Sequence, residues 1–160
     1  MKLLLLPCLL GACAILEPVA SSGVTDAGFI RVSPGQVQWR ERPGWLGVQS
    51  AVIAGDPSKA GIYVERVKFP PYVMSRPHTH RHDRHVTVLK GTWYTGTGSA
   101  WDPKQAVPLE PGSYMMHPAG AVHWDGSAGS EEVIIQVVGL GPSDATLADP
   151  SQPLWGGVDR

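Results

Sequence analysis

His78-Thr79-His80-Arg81-His82-Asp83-Arg84-His85 holds four of the six histidines of the chain, and the other two are His117 and His123. Histidines distributed without purpose would not leave both ends of the sequence empty. Neutral imidazole is a common ligand of transition metals near neutral pH. His78 and His80 stand two residues apart, and on an extended strand such residues share one face. The spacing therefore aims two imidazoles at one space. His123, which follows the turn Pro118-Ala119-Gly120, is the residue a closed sheet brings opposite them.

Working outward, the stretches on both sides read as short strands punctuated by turns. Val86-Thr87-Val88-Leu89-Lys90 runs into Gly91, and Thr92-Trp93-Tyr94-Thr95 follows at once, as in a tight hairpin or bend. Ala106-Val107-Pro108-Leu109 reads as an edge strand, because proline cannot donate to a ladder. Tyr114-Met115-Met116-His117, Val122-His123-Trp124 and Glu132 to Val138 complete the second half. In the first half Ile62 to Phe69 is the clearest strand, β-branched and aromatic between Gly61 and Pro70. Leu46 to Ala54 reads as a second strand, and Val37-Gln38-Trp39 as a first short one before the turn 40–44. Residues 101–105 read as a turn or one helical turn. About nine short strands without βαβ alternation predict an all-β sandwich or barrel. The 19 glycines and 15 prolines agree with that.

The ends read differently. Lys2, the apolar run Leu3 to Leu10 and the small residues Gly11-Ala12-Cys13-Ala14 have the pattern of a secretory leader over 1–20. The apolar run is shorter than the roughly 20 residues a spanning helix needs. Leu10-Gly11-Ala12-Cys13 resembles a lipobox, which would make Cys13 a lipid anchor; ordinary cleavage near Ala14 or Ala20 is the alternative. The expectation is export to a periplasmic or extracellular site, either free or as a membrane-anchored lipoprotein. Both cysteines lie in this leader, so a metal site in the folded domain has no thiolate to use. Residues 21–35 read as a linker, 36–142 as the domain and 143–160 as a tail, with Leu140, Leu147, Leu154 and Trp155 as candidates to pin it to the barrel. Thirteen basic against 14 acidic residues, with no basic stripe, argue against a nucleic-acid partner.

The histidine spacing carries a family resemblance. Gly112, five residues, Pro118-Ala119-Gly120, two residues and His123 resemble the second motif of the cupins, with Ser127 where that motif has asparagine. His78, His80 and Gly91 resemble the first motif, although Tyr72 stands in place of its leading glycine. The resemblance covers about residues 60–140. It implies a double-stranded β-helix, the cupin jelly-roll barrel of the RmlC-like superfamily, with a divalent metal held by His78, His80 and His123. Many cupins are dimers, so it also implies a homodimer. The slot of the family's glutamate ligand holds Arg84 when counted back from Gly91 and His85 when counted on from His80. If Val86 and Val88 face inward, Arg84 does too and His85 points away; a bulge would turn His85 inward as a fourth ligand. Arg84 has only donors, so it cannot ligate a cation. It is the candidate anchor for an anionic substrate. His82 reads as a solvated turn residue, and His117 as a residue behind the ligands or at the surface.

An all-histidine set suits Zn, Fe, Mn, Ni or Cu. Two functions follow. One is a metal-dependent enzyme on a small molecule, most plausibly of oxygenase type, and the other is a protein that binds metal or a small ligand without turnover. Fold does not choose between them.

Overall fold

The computed structural model describes residues 28–159. The leader over 1–20 and the first part of the 21–35 segment lie outside the described residues. Thirteen strands occur within them: β1 (Arg40–Glu41), β2 (Gln49–Ala54), β3 (Gly61–Phe69), β4 (Val73–Ser75), β5 (His78–Thr79), β6 (Arg84–Lys90), β7 (Trp93–Thr97), β8 (Val107–Leu109), β9 (Tyr114–His117), β10 (His123–Ser127), β11 (Val133–Gly141), β12 (Thr146–Leu147) and β13 (Trp155–Gly157). They form two antiparallel sheets. The first runs β1-β2-β3-β11-β6-β9; the second runs β12-β5-β10-β4-β13, with β7 also on β10 and β8 on β7. This is the predicted jelly-roll barrel.

Alternation along the strands decides what fills it. Val133, Ile135 and Val137 of β11 face inward, and opposite them so do Val86 and Val88 of β6. With Val48, Tyr63, Phe69, Val73 and Trp93 they make one apolar core. Toward one end of the barrel the inward positions turn polar. There β6 begins with Arg84, β9 ends with His117 directly across from it, and β10 begins with His123. The core occupies the closed end and the histidines the other.

Three expectations need correction. The first strand is Arg40–Glu41, paired with β2, rather than Val37-Gln38-Trp39. The residues there follow a 3-10 turn at Pro34–Gln36, and only Val37 is buried. The segment after 142 contributes strands: β12 pairs with β5 and β13 with β4. Trp155 does pin it, with its ring 5.8 Å from that of Phe69 and 5.7 Å from that of Trp45, but Leu140 points to solvent at 52% exposure.

Candidate metal centre

Each of the three motif histidines is held by its own Nδ1. His78 Nδ1 donates to the Arg76 carbonyl at 2.8 Å, His123 Nδ1 to the Ala121 carbonyl at 3.0 Å, and His80 Nδ1 to the Asp144 carbonyl. A carbonyl can only accept, so each Nδ1 carries the ring proton and each Nε2 presents a lone pair. Binding the outer ring nitrogen to a backbone carbonyl is how proteins orient metal-ligating histidines. The three rings converge. His78 Nε2 lies 3.2 Å from His80 Nε2, and ring centroids are 4.5 Å apart for His78 and His123 and 5.1 Å for His80 and His123. The potential ligand atoms of the three all lie within 4.8 Å of one another, and His123 Nε2 is buried without a partner. Two unprotonated nitrogens at 3.2 Å repel each other unless a cation lies between them. That separation also suits two ligands that each stand about 2.0–2.1 Å from one ion.

The local sequence explains the placement. Pro77 breaks the strand between β4 and β5, and the short β5 is wedged between β12 and β10, where His78 pairs with both Leu147 and His123. The loop bearing His80 is tied to the Pro118-Ala119-Gly120 turn by Gly120 N–H to the His80 carbonyl at 2.8 Å and Ala119 N–H to Asp83 Oδ1 at 2.7 Å. The two motifs are thus fastened to each other directly. Asp144 holds the loop from the far side, where it accepts from Arg81 N and Nε at 2.9 and 2.8 Å.

Arg84 faces inward and His85 outward, as strand parity allows when Val86 and Val88 are both buried. His85 is exposed and bonded through Nδ1 to the Tyr114 hydroxyl at 2.8 Å on the outer face. The contested fourth ligand is therefore not His85. β6 enters without the bulge that would have turned it in; its one irregularity lies further on, opposite Ile134 and Ile135. Arg84 fills the slot where the cupin motif has its glutamate. Its Nε donates to the Tyr63 hydroxyl at 3.0 Å, Nη2 to Ser143 Oγ at 3.2 Å and Nη1 to His80 Nε2 at 2.9 Å. No carboxylate pairs with it among the described residues. A surface crevice too narrow to hold a water molecule lies beside it, bounded by Tyr63, His80, Arg84, Pro142 and Ser143. His82, half-buried, sits at the edge of this cleft rather than in open solvent.

The residue the sequence reading undervalued is His117. It is 4% exposed, its ring stacks 3.7 Å from that of His123, and neither of its nitrogens has a partner. Together with His123 and Asp125 it forms a second set of donor atoms within 4.8 Å. The signal was present in the register: antiparallel pairing of 84–87 with 114–117 puts His117 across from Arg84, hence on the same face. Asp125 is buried one inward position below His123 and accepts from Trp93 Nε1 at 3.3 Å.

The electrostatics agree with a cation-binding centre. Burial pushes His78 down to about 4, His80 to about 3 and His117 to about 2, with the Arg84 guanidinium next in importance for His80. The imidazoles are neutral at physiological pH, which is the state a metal needs.

The sequence profile of the ChrR cupin-like domain family matches residues 27–144. The chain belongs to this family. This cupin is 30% identical over 103 residues to a putative germin-like protein 2-1 of Oryza sativa subsp. japonica, and it spans about half that relative's length (62% of this chain, 47% of the relative). Among solved structures it is similar to the polyketide cyclase RemF of Streptomyces resistomycificus (TM-score 0.64, 18% identity, 78% of this chain and 89% of that one). It is also similar to a cupin-superfamily sugar phosphate isomerase from Silicibacter pomeroyi (TM-score 0.58, 20% identity, 74% and 82%). At these identities the likeness shows the cupin fold alone.

Proposed function

We propose that this cupin is a metal-dependent enzyme acting on a small anionic molecule, with His78, His80 and His123 as ligands of one divalent transition metal and His117 packed behind His123. The observation that carries the reading is the common tautomer: three Nδ1–H groups spent on backbone carbonyls and three Nε2 lone pairs directed into one space. The bound ion would supply Lewis-acid polarisation of an oxygen on the bound molecule, or a site for dioxygen.

The chain's own groups set the class of molecule. Imidazole ligands bring no negative charge to the ion, and Arg84 adds a positive one. Buried Asp125 is the nearest offset. The His80 Nε2 lone pair now accepts from Arg84 Nη1, and it can serve only one partner. When it serves as a ligand, Nη1 is released toward the cleft while Tyr63 and Ser143 keep the guanidinium plane fixed. A carboxylate or other oxyanion fits that freed donor.

The narrow cleft favours a second reading, a protein that holds metal and a small anion without turnover. Both are tested on the purified protein. Elemental analysis should find one equivalent of a first-row metal, lost in His78→Ala and His123→Ala. Metal-free protein whose melting temperature is indifferent to both substitutions overturns both readings. Substrate depletion and oxygen uptake over a panel of carboxylates and phenols then separate enzyme from binder. Export is the companion proposal, supported by the leader-like Lys2 to Ala14 pattern. Cell fractionation and the mass of the mature N-terminus check it, with a diacylglyceryl adduct on Cys13 as the lipoprotein outcome.

A further inference from the structure

A second cavity, of about 290 Å³, lies on the outer side of the second sheet. None of the inward histidines lines it. Its walls come from the bend at Arg76 and Pro77, from Ser99 and Trp101 after β7, and from Leu147 to Gln152. Arg76 touches both places: its carbonyl accepts from His78 Nδ1, and it lines this cavity.

The Arg76 side chain is built into position and left without a partner. Its guanidinium carbon sits 4.3 Å over the Trp101 ring, and Trp101 is itself fixed by Nε1–H to the Ser75 carbonyl at 3.0 Å. On its other side is Gly156, where a Cβ would come within 3.1–3.2 Å of the guanidinium atoms. The group is therefore clamped between an indole and a backbone that only glycine keeps flat. Yet among the described residues Arg76 makes no ion pair or side-chain hydrogen bond, and its buried Nε has no hydrogen-bond partner. A buried donor left unmade costs the fold free energy that a ligand can recover. The cavity also holds one carboxylate, Asp149, which accepts from Ser151 N and Oγ on Oδ1 and is not paired with Arg76. Pro77, Leu147, Ala148 and the indole supply its apolar wall, and Ser99 and Gln152 add polar groups.

We infer that this cavity is a binding site for a small carboxylate that also carries a hydrogen-bond donor, of the amino-acid or hydroxy-acid class. Its oxyanion pairs with Arg76, its ammonium or hydroxyl with Asp149, and its body lies on Trp101 and Leu147. The volume is at the small end of ligand pockets, about 300–1,000 Å³, which limits the ligand to that size.

The test is calorimetric titration of the full chain with L-phenylalanine and mandelate, against phenylacetate, which lacks the donor, and phenethylamine, which lacks the carboxylate. The site predicts one saturable equivalent for each of the first two and at least tenfold weaker binding of the others. Arg76→Gln should weaken binding at least tenfold. Asp149→Asn changes an exposed residue without threatening the fold, and should weaken phenylalanine more than mandelate. His123→Ala should leave both unchanged. No saturable binding of either ligand overturns the inference, and so does binding that survives both Arg76→Gln and Asp149→Asn or is lost in His123→Ala. The last outcome would assign the ligand to the histidine centre.

Discussion

At the scale of single residues, the centre depends on which way each ring points, and that depends on groups that never touch the metal. Asp144 shows this best. Its carbonyl orients His80 while its carboxylate clamps Arg81. The ion pair itself is half-exposed and worth little to stability. Its role is to hold the carbonyl still. Asp144→Ala keeps the carbonyl and removes only the clamp on Arg81, so it should leave the melting temperature of metal-free protein within a degree or two and weaken metal binding by less than the roughly tenfold or more that losing an orienting partner costs. Competition with a chromophoric chelator measures it. His117→Ala removes the ring packed on His123: metal affinity should fall while stoichiometry stays at one, whereas His123→Ala should abolish binding. How much of this was legible can be argued residue by residue. Arg84 inward and His85 outward followed from the parity of Val86 and Val88, one of the two alternatives the sequence left open. His117 was hidden because Met115 and Met116 are both apolar, so the strand showed no alternation. Only the pairing with β6 reveals that Met115 and His117 face inward and Met116 outward.

At the scale of elements, glycine sets two close approaches. At Gly96 in β7 a Cβ would lie 2.0 Å from the Trp124 ring of β10, so the indole lies flat across the strand only because nothing projects there. Gly96→Ala should destabilise the fold by about 1–3 kcal/mol, the range for overpacking, read as an earlier midpoint in urea unfolding. At Gly139 in β11 a Cβ would press within 2.8–3.0 Å of the Tyr63 ring and hydroxyl. Tyr63 supports Arg84, so Gly139→Ala should weaken anion binding more than metal binding, a difference that separate titrations resolve. The strands that sequence reading placed well, β3, β6 and β11, are seven to nine residues long and rich in β-branched side chains. The ones it missed or shifted, β1, β4, β12 and β13, are two or three residues long. Strands that short have no period to read, and their pairing is set by where the chain is already held.

At the scale of the whole molecule, the buried histidines make the apo-fold sensitive to acid. In the unfolded chain His78, His80 and His117 take up protons near the ordinary 6.5. In the fold, burial holds them at about 4, 3 and 2. Above pH 6.5 both states are neutral and nothing is lost. As pH falls through 6.5 the unfolded state gains protons that the fold refuses, so stability declines, by up to about 1.4 kcal/mol per pH unit for each histidine. Urea unfolding of metal-free protein at pH 7.5, 6 and 5 should show this fall. The same depressed values mean that protons compete poorly for the ligands in the folded state, so bound metal should survive dialysis at pH 5. Metal at 100 times its dissociation constant should add about 2.7 kcal/mol to stability.

The reliance of His80 on the Asp144 carbonyl, and of His78 on β12, also sets an order in time. His80 is synthesised near the middle of the chain, but the carbonyl that orients it is made 64 residues later, and β12, which pairs with His78, follows that. A nascent chain that has reached His123 has all four inward histidines and still lacks the group that aims His80 and the strand that flanks His78. On the proposed function, metal capture would therefore belong to the finished polypeptide, and if the leader directs export, to the compartment where folding is completed. The metal this cupin carries would then be decided by what that compartment supplies at the moment the last strands close.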